Sequence, residues 1–289
     1  MRWQNRRLSD NVEDRRGSGG GGGGGIRNLG IGGVIIIVVL ALITKQSPTQ
    51  LLNKVSHSTG GNTEQTTTSE TVTSASDEEA RFASTVLANT EDVWTTLFRE
   101  MNKEYQAPKM VLFSDVDESG CGTAQSAMGP FYCPADDRVY LDLSFFNEME
   151  QRFKVVGDFS KAYVIAHEVG HHIQNLLGIS RKVQAMRSQL SETEYNKLSV
   201  KLELQADFLA GVWAHHAQKM DNILDPGDIE EALNAASAVG DDKLQEAANG
   251  RVVPDAFTHG TSAQRMRWFK KGFDTGDIKQ GDTFNAANL

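Results

Sequence analysis

Apolar and polar positions recur along this chain with two different periods, and the changes of period mark out its elements. Residues 77–104, DEEARFASTVLANTEDVWTTLFREMNKE, set Ala80, Phe82, Val86, Leu87, Val93, Trp94 and Leu97 at helical spacing, with Asn89-Thr90 a point of break or recapping. KMVLFSD (109–115) predicts a short strand. RVYLDLSFF (138–146) sets Val139, Leu141 and Leu143 against Tyr140 and Asp142, which predicts a strand with one wet face. Asp158-Phe159-Ser160 opens a helix running through AYVIAHEVGHHIQNLLG, which Gly178 is placed to end. Further helices are predicted over about 191–219, 228–248 and 262–272, the last capped by Thr261 or Ser262. The fold class is α+β: mostly helix, with a small sheet.

The front of the chain breaks both periods. LGIGGVIIIVVLALI (29–43) is apolar throughout, and no charge lies between Arg27 and Lys45. As a helix the uncharged stretch would span roughly 26 Å, close to a bilayer core once flanking basic groups snorkel. No small-x-small cleavage site follows it, so it reads as one transmembrane helix and not as a signal peptide. Arg2, Arg6, Arg7, Arg15, Arg16 and Arg27 precede it, against Lys45 and Lys54 just after, which predicts a single pass with the N-terminus in the cytoplasm. The expected organisation is therefore a cytoplasmic basic, glycine-rich tail (1–28), a transmembrane anchor (29–43), a Ser/Thr-rich tether (44–76) and a folded extracytoplasmic domain (77–289) at the inner membrane. The tether holds too few large apolar groups to offset its ordering entropy.

Charge and cysteine content narrow the classes. A formal net charge of −9 over 289 residues offers no electrostatic case for nucleic acid as a partner. The two cysteines, Cys121 and Cys133, cannot make a four-thiolate zinc site or a CxxC pair. In an oxidising compartment they are expected to form a disulfide, the alternative being two buried thiols.

The candidate chemistry is concentrated in His167-Glu168-Val169-Gly170-His171-His172. On a helix His167 and His171 lie about 40° apart and one turn along, so both imidazoles can bind one Zn²⁺. Glu168, displaced by about 100°, is placed as a general base and not as a ligand. His172 falls about 140° from the face set by His167 and reads as a neighbouring or partly exposed histidine. Gly170 removes a side chain where another element or a substrate comes close. Positions 174 and 177 hold Gln174 and Leu177, so the third ligand comes from elsewhere. Glu203 in LELQADFLAG is the candidate, with Asp207 one turn on as the carboxylate that orients a liganding histidine. His215 and His216 are rival ligands but point away from that acid stripe, and read as structural. His259, in a loop before a helix cap, is a candidate catalytic group that stabilises an oxyanion, ahead of Tyr140 or Tyr163.

The segments MRWQNRRLSDNVEDRRG, GPFYCPADDRVYLDLSFF, AHEVGHHIQ, ELQADFLAGVW and THGTSAQRMRWF, with the membrane run, resemble the neutral zinc metallopeptidase family of bacteria. The resemblance covers nearly the whole chain. It implies a membrane-anchored, zincin-like fold with one zinc ion, His167 and His171 as ligands and Glu168 as base. The HExxH…ExxxD pattern also resembles the glutamate-third-ligand zincins, including the membrane heat-shock metallopeptidases. Their later His-Pro…Arg segment is loosely similar to His259-Gly260…Arg265, with Gly260 where they have proline. The expected activity is zinc-dependent hydrolysis of a peptide or protein substrate in the cell envelope. The alternatives are a non-catalytic, zinc-stabilised scaffold and a zinc amidase acting on the cell wall.

Overall fold

The computed structural model describes residues 1–17 and 74–289. A four-stranded sheet lies against a cluster of helices. Its strands are β1 (Val12–Asp14), β2 (Lys109–Phe113), β5 (Phe131–Cys133) and β6 (Arg138–Asp142), in the order β1-β2-β6-β5. The first three strands in that order are parallel, and β5 runs antiparallel to β6. A hairpin, β3 (Val116–Ser119) with β4 (Gly122–Gln125), stands apart from this sheet. The helices are α1 (Ser74–Glu100), α2 (Ser144–Gln151), α3 (Asp158–Leu176), α4 (Ile179–Ala185), α5 (Glu192–Asp221), α6 (Asp228–Ala238), α7 (Asp241–Asn249) and α8 (Ser262–Thr275).

Local chemistry accounts for most of these boundaries. Capping boxes at Ser191/Glu194 and Thr261/Gln264 start α5 and α8 by satisfying otherwise orphaned backbone donors. Gly178 follows α3 with φ of +75°, as its position predicts. Asn89-Thr90 does not break α1: the Asn89 amide donates to Asp221 and its oxygen accepts from Trp213, both on α5. The helix expected over 228–248 is divided at Gly240, where a Cβ would sit 2.4 Å from the Ser262 backbone nitrogen. That division puts Asp241 at the first turn of α7.

One expectation about the sheet is corrected. Strand β6 has no wet face, because Val139, Tyr140, Leu141 and Asp142 are all buried. The β3–β4 hairpin covers the side that alternation assigned to solvent, and Tyr140 packs there with Val111, Phe113, Ala124 and Cys133. Cys121 in the hairpin turn is disulfide-bonded to Cys133 at the end of β5, as expected.

Residues 1–17 were expected to belong to a separate tail, and they are instead part of this fold. Strand β1 pairs with β2 over Val12↔Met110 to Asp14↔Leu112. Trp3 is 8% exposed, stacks edge-on against Phe82 and donates its indole N–H to Asp158. Arg2 pairs with Asp225, Arg7 with Glu91 and Asp92, Arg15 with Asp117, and Arg16 with Asp14. Arg2, Arg7 and Arg15, counted as a topological signal, thus pair with acids of the folded domain. A single crossing between residues 17 and 74 would place β1 and β2 on opposite sides of a membrane, which their hydrogen bonds forbid. Among the described residues no helix is long and apolar enough to cross a membrane. The anchor at 29–43, the glycine run and residues 44–73 of the tether lie outside the described residues.

Helices α5 and α8 cross with glycines at the contact. A Cβ on Gly272 would lie 2.0 Å from the Phe208 carbonyl oxygen, and one on Gly211 would lie 2.1 Å from that of Phe269. Gly272→Ala is therefore expected to force the helices apart, costing about 1–3 kcal/mol and lowering Tm by several degrees. Thermal unfolding monitored by circular dichroism checks this, and an unchanged Tm would show that the crossing yields without cost.

Candidate metal centre

Helix α3 carries the histidine pair, and its apolar residues bury it between α1, α5 and α6. Gly170 lets α5 approach: a Cβ there would stand 2.9 Å from the Ala206 carbonyl oxygen. This contact sets Glu203 of α5 opposite His167 and His171 of α3. Ligand-type atoms of these three residues all lie within 4.8 Å of one another. His167 Nε2 is 3.2 Å from His171 Nε2 and 3.2 Å from Glu203 Oε2, and His171 Nε2 is 3.5 Å from Glu203 Oε1.

The other ring nitrogens are already engaged. His167 Nδ1 is 2.8 Å from Asp207 Oδ1, and His171 Nδ1 is 2.9 Å from Gln174 Oε1. Carboxylate and amide oxygens only accept, so each Nδ1 carries the proton and each Nε2 offers its lone pair inward. Two lone pairs and a carboxylate facing one point repel unless a cation or a proton lies among them. Burial alone would lower the His167 pKa, but Asp207 and Glu203 push it up to about 10. The place has the charge and donor set of a two-histidine, one-carboxylate zinc site. The residues fit the ion.

Asp207 is held in turn. It is 0% exposed and receives the Arg265 guanidinium in two hydrogen bonds, Nε to Oδ2 at 2.8 Å and Nη2 to Oδ1 at 2.9 Å. The Tyr163 hydroxyl also donates to Oδ1. Burial would raise the Asp207 pKa, yet Arg265 and His167 bring it down to about 2. Gln174, which is fully buried, donates its amide to the Leu202 carbonyl and to Gln205. The expected pairing of Glu203 with Asp207 on one helix face is therefore present, each acid with its own task.

Glu168 is 8% exposed and stands outside the converging set. Burial raises its pKa, against the pull of the neighbouring imidazoles, and the Tyr132 backbone N–H faces its carboxylate. Burial pushes Glu203 the same way, but His171, His259 and His167 outweigh it and keep that carboxylate ionised. Tyr132 belongs to β5, one of the two edge strands of the sheet among the described residues, and β5 packs beside α3.

The remaining histidines separate cleanly. His172 is 1% exposed, not partly exposed, and turns away from the cluster to the Gln106 carbonyl and the Tyr132 hydroxyl. His215 and His216 bind the carbonyls of Phe273 and Gly276 and anchor the end of α8. Tyr163 is committed to Asp207, and Tyr140 donates to Asp136. His259 lies in the loop between α7 and α8, within electrostatic reach of Glu203. Its neighbour Gly260 has φ of +92° and packs against Val200 and Leu204, a backbone state closed to proline. Sequence reasoning reached Arg265 only through the family resemblance, with no role attached, and missed the roles of Gln174 and of the acid that holds His259. Their polar side chains sit on helix faces that read as surface, with partners distant in the chain.

A family model described as "Putative neutral zinc metallopeptidase" matches residues 1–284. The chain is 51% identical over 288 residues to "Uncharacterized protein YpfJ" of Escherichia coli strain K12, covering 98% of this chain and 99% of that one. It is 44% identical over 195 residues to "Uncharacterized protein Mb2605" of Mycobacterium bovis, covering 64% of this chain and 65% of the relative. No solved structure matches it.

Proposed function

The chain belongs to the neutral zinc metallopeptidase family, and we propose that it hydrolyses peptide bonds with a single zinc ion held by His167, His171 and Glu203. The observation that carries this reading is the convergence of those three ligand atoms, with a buried carboxylate, Glu168, directly beside them on α3. A zinc ion bound there would acidify a water and polarise a substrate carbonyl. Glu168 takes a proton from the attacking water and delivers it to the leaving amine, a double task that suits a carboxylate whose pKa burial has raised. Asp207 and Gln174 hold the two imidazoles in the tautomer that leaves Nε2 free. His259 supplies a hydrogen bond to the carbonyl oxygen as it gains charge.

The substrate is an extended peptide laid along β5. β6 is flanked by β2 and β5 and has no free edge for this role. β5 is an edge strand among the described residues and packs beside the helix that carries Glu168, so backbone pairing along it would bring a scissile bond near the base. The disulfide supports an extracytoplasmic location. Membrane attachment through residues 29–43 then has to leave both residues 1–17 and 74–289 on that outer side.

The test is digestion of a peptide library by the zinc-loaded full chain, with metal content measured in parallel. Cleavage is expected, together with its loss on chelation and its return on adding zinc. Zinc bound with every peptide intact would overturn the peptidase reading in favour of a zinc-stabilised scaffold, and release of cell-wall fragments alone would favour an amidase.

A further inference from the structure

Asp241 gathers an unusual number of donors for one carboxylate. It is 4% exposed, at the start of α7, and its Oδ2 accepts the backbone N–H groups of Thr258, His259 and Gly260 at 2.7, 2.6 and 2.9 Å. Its Oδ1 lies 3.2 Å from His259 Nδ1, and the Thr258 hydroxyl lies 3.0 Å from the same nitrogen. The Asp241 backbone N–H returns a bond to the Gly260 carbonyl. Both the main chain and the ring of His259 are thus fixed from one side chain. The imidazole remains 23% exposed, while the acid behind it is largely closed off from water.

We propose that Asp241 is a positioning residue for the zinc site: it locks the 258–260 loop and the His259 ring so that Nε2 faces the reacting carbonyl. The proposal rests on the reading that His259 serves that site. Its physical basis is acceptor chemistry. A carboxylate has no proton to offer and the Thr258 hydroxyl can accept one, so His259 Nδ1 carries a proton beside Asp241, and Nε2 is the nitrogen that remains to meet substrate. The pull of His259 and of the backbone donors keeps Asp241 ionised despite its burial. Glu203, on α5, and Asp241 both raise the His259 pKa against the effect of burial. Asp241 therefore stands to His259 as Asp207 stands to His167, from a different helix.

A loop staple with no part in catalysis would use the same backbone bonds, so the test must move something else. Asp241→Asn keeps an acceptor for the three N–H groups but brings an amide toward Nδ1. It is expected to lower kcat about 10- to 100-fold, with KM, zinc content and Tm close to those of the wild type. In a His259→Ala background the same substitution should change kcat less than twofold, because its effect passes through the ring. Independently of any substrate, nitrogen NMR of the zinc-loaded wild type should find a proton on His259 Nδ1. A bare Nδ1, an undiminished kcat, or an equal loss in the His259→Ala background would each overturn the proposal. If the wild type cleaves no peptide, the peptidase reading fails while the NMR result still decides the positioning.

Discussion

Replacing Glu168 with glutamine is expected to reduce peptide hydrolysis by about three orders of magnitude or more while leaving zinc bound. The two halves of that outcome come from the same geometry. Glu168 is excluded from the set of converging atoms, so removing its charge takes nothing from the ion's ligands. Glutamine has nearly the same shape, so the packing of β5 beside α3 is kept. What is lost is the ability to take a proton and give it back. Zinc content by atomic absorption and turnover of a cleaved peptide from the library measure the two halves. Full activity in Glu168→Gln would remove Glu168 from the mechanism, and loss of zinc would make it a ligand.

How much of this site the sequence disclosed depends on how far each interaction reaches along the chain. His167, Glu168 and His171 are separated by one helical turn, and helical angle alone sorts them from His172. Glu203 and Asp207 stood out because two acids one turn apart among Leu202, Leu204, Phe208 and Leu209 are hard to place on a solvated face. Arg265 gave no such sign: in an amphipathic helix rich in lysine and arginine, a basic residue looks like surface. Its burial depends on the close α5–α8 crossing at Gly211 and Gly272, a tertiary fact. The same holds for the N-terminal segment. Its partners, from Glu91 to Asp228, lie far along the chain, so local composition made it look like a tail. Strand β6 misled in the opposite sense. Tyr140 and Asp142 alternate as solvent-facing residues should, but their polar atoms bind Asp136 and Ser126 under the hairpin. Alternation reports which side chains carry polar atoms, and a second layer can satisfy those atoms as well as water can.

Arg265→Ala is expected to have the largest effect on stability, because it strands a charge. Asp207 would stay buried with only Tyr163 and His167 to answer it, and breaking a buried pair from one side costs about 3–5 kcal/mol. That is a large share of the roughly 5–15 kcal/mol that hold an ordinary domain together. The exposed pair of Lys270 with Asp274 on the same helix has an equally short contact, 2.7 Å, yet its loss should cost at most about 0.5 kcal/mol, since water screens both partners. The two alanine variants, Arg265→Ala and Lys270→Ala, compared by thermal unfolding, separate burial from mere charge pairing. Zinc affinity provides the second readout. Without the guanidinium, Asp207 loses two of its four donors and the orientation that keeps His167 Nε2 aimed inward, so competition with a chelator should show binding weakened about 10- to 100-fold. Arg265→Lys retains the charge but cannot donate in two parallel bonds, and should fall between the alanine variant and the wild type. Wild-type zinc affinity in a folded Arg265→Ala protein would mean that Asp207 holds His167 unaided, and that the arginine serves the helix crossing alone.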